Sequence, residues 1–98
     1  MANIGTFTRD GDSYSGAITT LALKAKATFQ PNSKSNDLAP DYRVYAGGAE
    51  IGAAWFKTSK DERHPYLSVK LDDPSFAGAI YCRLIELEGG QHRLLWSR

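Results

Sequence analysis

Along most of this chain apolar and polar residues alternate one by one, the period at which a pleated strand turns one face to a core and the other to water. The clearest run is 21–30, where Leu21, Leu23, Ala25, Ala27 and Phe29 interleave with Lys24, Lys26, Thr28 and Gln30. Its alanines would suit a helix, but the unbroken period-two stripe selects a strand. Further strands are predicted at 4–9, 13–20, 42–46, 50–58, 66–71, 79–87 and 92–97. Turn chemistry separates most of them: Asp10-Gly11-Asp12, Gly47-Gly48 and Gly89-Gly90 supply tight hairpins, and 60–65 a charged turn. The segment 31–41, polar and with proline near both ends, is the one long loop. Asp73-Pro74 reads as an N-cap and first-turn pair that would open a helical turn, so at most one short helical turn, near 73–77, is expected.

Seven to eight short strands with these turns indicate an all-β single domain over 1–98, a small antiparallel barrel or sandwich, with an oligonucleotide-binding-type barrel among the alternatives. Two strands break the face rule. Ile51 and Ala53 share the face of Trp55 and Lys57, and Ile85 and Leu87 share that of Arg83. Bulges, or a strand spanning two layers, would account for such switches.

Charge narrows the function classes. A formal charge of +1 leaves no global field to draw the chain onto DNA or an anionic membrane, so any polyanion site must come from local segregation. A lone cysteine, Cys82, forbids an internal disulfide. No apolar run approaches a membrane span, and the first residues lack the pattern of a signal peptide; a cytoplasmic protein with no membrane partner is expected.

Catalytic signatures are absent from the pattern. No Gly-x-Ser-x-Gly elbow occurs, His64 and His92 read as solvated turn histidines, and one cysteine with two distant histidines offers no zinc spacing. Asp72-Asp73 reads as a capping pair, and Cys82, between Ile80 and Leu84, as a buried inert thiol. A non-enzymatic protein without cofactor or metal is expected. What remains is a strand face in which bases and rings coincide: Lys24, Lys26, Arg43, Tyr45, Lys57, Tyr66, Lys70, Tyr81 and Arg83, with Trp55 a weaker member. Rings can stack on unpaired bases while strand-borne cations follow phosphates. The same residues could equally cover core edges and keep the sheet soluble.

The stretches Ile4-Gly5-Thr6-Phe7-Thr8, 42–55 (YRVYAGGAEIGAAW), Lys57-Thr58-Ser59, 66–76 (YLSVKLDDPSF) and Trp96-Ser97-Arg98 resemble the bacterial domain-of-unknown-function family 736. The resemblance spans nearly the whole chain. It implies a setting, proteobacterial plasmids and integrative elements, and no activity or catalytic residue. Relatives more often carry alanine at the position of Cys82, which fits a packing role. In that setting two partner classes stay open. One is nucleic acid, single-stranded above all, met by the basic-aromatic face; the other is a host defence protein or ribonucleoprotein complex, met by an anti-CRISPR-like inhibitor or adaptor. A homodimer through a free sheet edge, or contact by strand addition there or at the 31–41 loop, completes the expectations.

Overall fold

The computed structural model describes residues 2–21, 24–58, 65–87 and 90–96. Eight strands follow in chain order: β1 (Ala2–Asp10), β2 (Ser13–Thr19), β3 (Lys24–Pro31), β4 (Tyr42–Ala46), β5 (Ala49–Thr58), β6 (Pro65–Leu71), β7 (Ile80–Glu86) and β8 (Gln91–Trp96). Each pairs antiparallel with its chain neighbour, and β8 returns to pair with β1, so the sheet closes into an up-and-down barrel. This meander differs from the oligonucleotide-binding topology, which is a five-stranded Greek key. It also leaves no free edge among the described strands, so neither an edge-to-edge dimer nor strand addition finds an unpaired ladder there.

Closure is made possible by the alternation. The inward positions hold Phe7, Tyr14, Ile18, Ala27, Phe29, Val44, Ala54, Leu67, Val69, Leu71, Cys82, Leu84 and Leu94, all buried. The barrel has two distinct rims. One, the Gly11 rim, carries the β1–β2 turn and the 32–41 loop. The other, the Gly47 rim, carries the Gly47–Gly48 turn, both at positive φ (58° and 86°) as a tight hairpin requires, and the 72–79 connection.

Aromatic rings fill the half of the barrel toward the Gly11 rim. Phe7 meets Phe29 edge-on at 5.1 Å, Tyr14 meets Tyr42 at 5.5 Å and His92 at 4.8 Å, and Tyr42 meets Phe56 at 5.5 Å. Arg9 points inward at the same rim, 6.0 Å from the Tyr14 ring centroid, and its Nε donates to the Gly11 carbonyl. Inward glycines make room for these rings. A Cβ at Gly16 would overlap the Thr6 carbonyl oxygen and stand 2.9 Å from the Phe7 ring. The barrel can therefore curve tightly around Phe7 only with glycine at that position.

The face switch in β5 is a bulge. Val44 pairs with Gly52 but Tyr45 pairs with Glu50, so Ile51 is the extra residue; it is buried, and Trp55 and Lys57 stay outside. A second bulge in β1 inserts Ile4 between Asn3 and Gly5. In β7 there is no bulge: Ile85 remains outward and half-buried, opposite Arg93.

Three other expectations change. Strand β3 starts at Lys24, and Leu21 lies fully exposed rather than in its apolar stripe; Leu23 is outside the described residues. His92 is 6% exposed, not solvated: β8 begins one residue before it, so alternation sends the ring inward. Its Nδ1 lies 3.1 Å from the Gly90 carbonyl, and Tyr14 packs on the ring. The segment after Asp73 is a turn without a helix. The Asp73 carboxylate accepts from the Ser75 N–H (2.9 Å) and hydroxyl (2.5 Å), which lowers its pKa, and the Phe76 N–H returns to the Asp73 carbonyl. Asp73 thus caps, as expected, but what it caps is a loop. His64 lies outside the described residues.

Candidate functional site

The outward positions of the barrel carry all nine basic and aromatic residues singled out from the sequence, but closure distributes them around a cylinder. Lys57, Tyr66, Lys70, Tyr81 and Arg83 come together on β5, β6 and β7. Register places Lys57 opposite Tyr66, Lys70 opposite Tyr81, and Ser68 opposite Arg83. Arg43 and Tyr45 sit on β4, one strand beyond β5. Lys24 and Lys26 project from β3, four strands from β7 in either direction around the barrel, so no single ligand face includes them.

Arg43 is also spent locally. Its Nη1 donates to Glu50 Oε1 at 2.8 Å and its Nε to Asn32 Oδ1 at 2.9 Å. Glu50 is the first cause of a raised Arg43 pKa. A paired guanidinium of this kind offers little net charge to an incoming anion.

Beyond Glu50, the outward positions of β5–β8 are Ala53, Trp55, Lys57, Tyr66, Ser68, Lys70, Tyr81, Arg83, Ile85, Gln91, Arg93 and Leu95. They hold four cations and no carboxylate, and no ion pair engages those four among the described residues. Arg93 belongs to this wall and escapes a reading of the sequence alone. Its strand is short, and only the β7–β8 register, with Arg93 opposite Ile85 and Leu95 opposite Arg83, shows that it shares a face with Arg83.

The rings differ in availability. Tyr81 is 62% exposed. Tyr66 is half-buried, with the Arg83 guanidinium 4.9 Å from its ring centroid, a cation–π arrangement that fixes the arginine and covers one side of the ring. Trp55 is half-buried beneath the 32–41 loop, its Nε1 donating to the Leu38 carbonyl at 3.1 Å.

That loop is held by a small polar clamp. Asp41 Oδ2 accepts the Phe56 N–H at 2.8 Å and Oδ1 accepts Lys34 Nζ at 3.1 Å; Asn32 Nδ2 donates to the Pro40 carbonyl. The Phe56 bond is the main reason the Asp41 carboxyl is more acidic than usual, with Lys34 adding to it against some opposing burial. The clamp presents Leu38 at the loop tip, 87% exposed.

Residues 3–98 match the family described as Protein of unknown function (DUF736). The chain belongs to DUF736. No curated protein and no solved structure matches it. Family membership thus places the DUF736 barrel without assigning it chemistry. No group of three or more His, Cys, Asp or Glu side chains is arranged to hold a metal among the described residues, and no described helix is long and apolar enough to cross a membrane. Cys82 is 5% exposed, and burial pushes its thiol up to about 11. A thiol so disfavoured as thiolate is poorly suited to nucleophilic work.

Proposed function

We propose that this protein is a non-catalytic accessory protein, cytoplasmic and serving a mobile genetic element, that binds single-stranded nucleic acid on the β5–β8 wall. One observation carries the reading: Tyr81 stands exposed with Lys70 directly opposite and Arg83 two positions along the same face. An exposed ring flanked by cations that form no ion pair among the described residues is what a flexible strand uses, the base stacking on the ring while its phosphates meet the charges. The contributors are Lys57, Tyr66, Lys70, Tyr81, Arg83 and Arg93. Arg83, held on Tyr66, offers a fixed guanidinium rather than a mobile one, which lowers the entropy lost on binding.

The test is a fluorescence-anisotropy titration of a labelled oligothymidine. Tyr81→Ala is expected to weaken binding about tenfold, the value of one base–ring stack. Lys24→Gln with Lys26→Gln, on the far side of the barrel, is expected to leave it within about twofold. Equal losses in the two variants, or no binding by the parent, would overturn the reading.

A second reading is favoured by Leu38, an exposed apolar side chain on a clamped loop, which suits an inhibitor or adaptor docking on a host protein or ribonucleoprotein. Pull-down from nuclease-treated host lysate separates the two. A partner retained after nuclease and lost in Leu38→Asp supports protein recognition; capture that disappears with nuclease supports nucleic acid.

A further inference from the structure

The two halves of the barrel are filled differently. Rings occupy the half toward the Gly11 rim, whereas toward the Gly47 rim the interior ends in Ile4, Ile18 and Leu71, with an open cavity of about 1250 Å³ above them. Both bulges lie at this rim, and each inserts one residue, Ile4 in β1 and Ile51 in β5. A bulge bends its strand and increases the local twist, and barrel rims are where such bulges re-aim side chains.

The 72–79 connection forms one wall. Its opening turn is locked by the Asp73 carboxylate and the Phe76 N–H bond to the Asp73 carbonyl, which places Phe76 against the core at the edge of the cavity. Ring-bearing side chains Phe76, Tyr81 and Trp96 line the mouth; Asn3, Thr19, Thr20 and Ser75 provide its polar groups. None of the fifteen described residues lining it is charged. For a chain with 23% charged residues this is a pronounced segregation, and it decides the ligand class. An ionised ligand would be desolvated with no counter-charge to meet it.

We infer that the Gly47 rim is a binding site for an uncharged, ring-bearing small molecule. The volume lies just above the usual range of ligand pockets, about 300–1,000 Å³, and barrel mouths are a preferred location for them. The inference is independent of nucleic-acid capture except that Tyr81 borders both regions. The test therefore avoids Tyr81.

The probe is neutral N-phenyl-1-naphthylamine, whose emission rises in apolar surroundings, titrated into the full chain. A saturable single-site increase is expected. Phe76→Ala is expected to weaken it about tenfold, the contribution of one lost ring contact. Ala77→Trp, at an exposed lining position that does not touch the core, is expected to block the mouth and abolish it. Phe56→Ala, at the opposite rim, is expected to leave the affinity unchanged. The anionic sulfonate of the same ring system should bind at least about tenfold more weakly, because its charge stays unpaired. No saturable signal, an equal loss from Phe56→Ala, retention of binding in Ala77→Trp, or tighter binding of the anion would overturn the assignment. Oligothymidine binding measured on Phe76→Ala and Ala77→Trp tells the two proposals apart, since neither residue belongs to the β5–β8 wall.

Discussion

Gly16→Ala probes the barrel's curvature with a single methyl group. The added Cβ would overlap the Thr6 carbonyl oxygen and lie 2.8 Å from the Phe7 Cα and 2.9 Å from its ring. Two of these three atoms are backbone, and the Thr6 oxygen is the nearest of them, so relief requires moving β1 against β2 by about an ångström. That movement disturbs a seam that aligns Thr6 with Ala17 and Phe7 with Gly16. Overpacking of this kind costs about 1–3 kcal/mol, and backbone resistance places this site toward the upper value. For a domain of this size the melting temperature should fall by about 10–20 °C. Urea unfolding followed by far-ultraviolet circular dichroism measures the loss directly. Gly78→Ala is the control, since its added Cβ meets nothing within 4 Å and its φ is not positive. Phe7→Leu combined with Gly16→Ala should recover little, because the Thr6 carbonyl stays in place. If Gly16→Ala is no more destabilising than Gly78→Ala, the account of closure around Phe7 is wrong.

Other consequences can be measured as directly. With four cations on the β5–β8 wall that form no ion pair among the described residues, log affinity for a single strand should fall with log salt at a slope of about −3, and Arg83→Gln should reduce that slope by about 0.7; a flat titration contradicts the wall's electrostatic role. Cys82 should react with a disulfide reagent at pH 8 about a hundredfold more slowly in the native protein than in urea, because its thiol lies near 11 instead of 9.0. The linked stability is intact below pH 9 and declines as pH rises from 9 toward 11, a loss that Cys82→Ala should remove. Asp41 has the opposite sign: its depressed pKa gives stability present above the ordinary value of 3.8 and lost as pH falls through the lower native value. Asp41→Asn should flatten that acid limb and, in a Trp96→Phe background, shift Trp55 emission as the loop over it loosens.

How far the architecture was legible depended on how local its signals are. Strands β4, β5, β6 and β7 could be placed within a residue or two because each shows a core face and a wet face in succession. The bulge at Ile51 registered only as a breach of that rhythm, since a sequence shows the extra residue but not the partner that skips it. Closure was legible only as one of two alternatives, a barrel or a sandwich. Its decisive contact joins β1 to β8, and nothing near either strand specifies the other. That long-range pairing sends Lys24 and Lys26 to the far side while bringing Arg93 beside Arg83, so the nine-residue face shrank and gained a member together. His92 was placed in water rather than in the core because Gly90 lies two residues away, and a residue so near a turn reads as solvated until the first inward position of β8 is known. The Gly47 cavity gave no warning, because it is the shape left between elements rather than any residue within them.

The β1–β8 pairing has a kinetic consequence. Every other strand meets its partner after a short connection, but this seam must bring together segments separated by almost the entire polypeptide, and forming it carries the largest loop-closure entropy. It should be the last pairing to form and the first to open. When it parts, two ladders of unsatisfied amides and carbonyls become available at once, and a second unzipped molecule could complete them. Concentration-dependent domain exchange near the unfolding midpoint is the behaviour expected of this ring when strained.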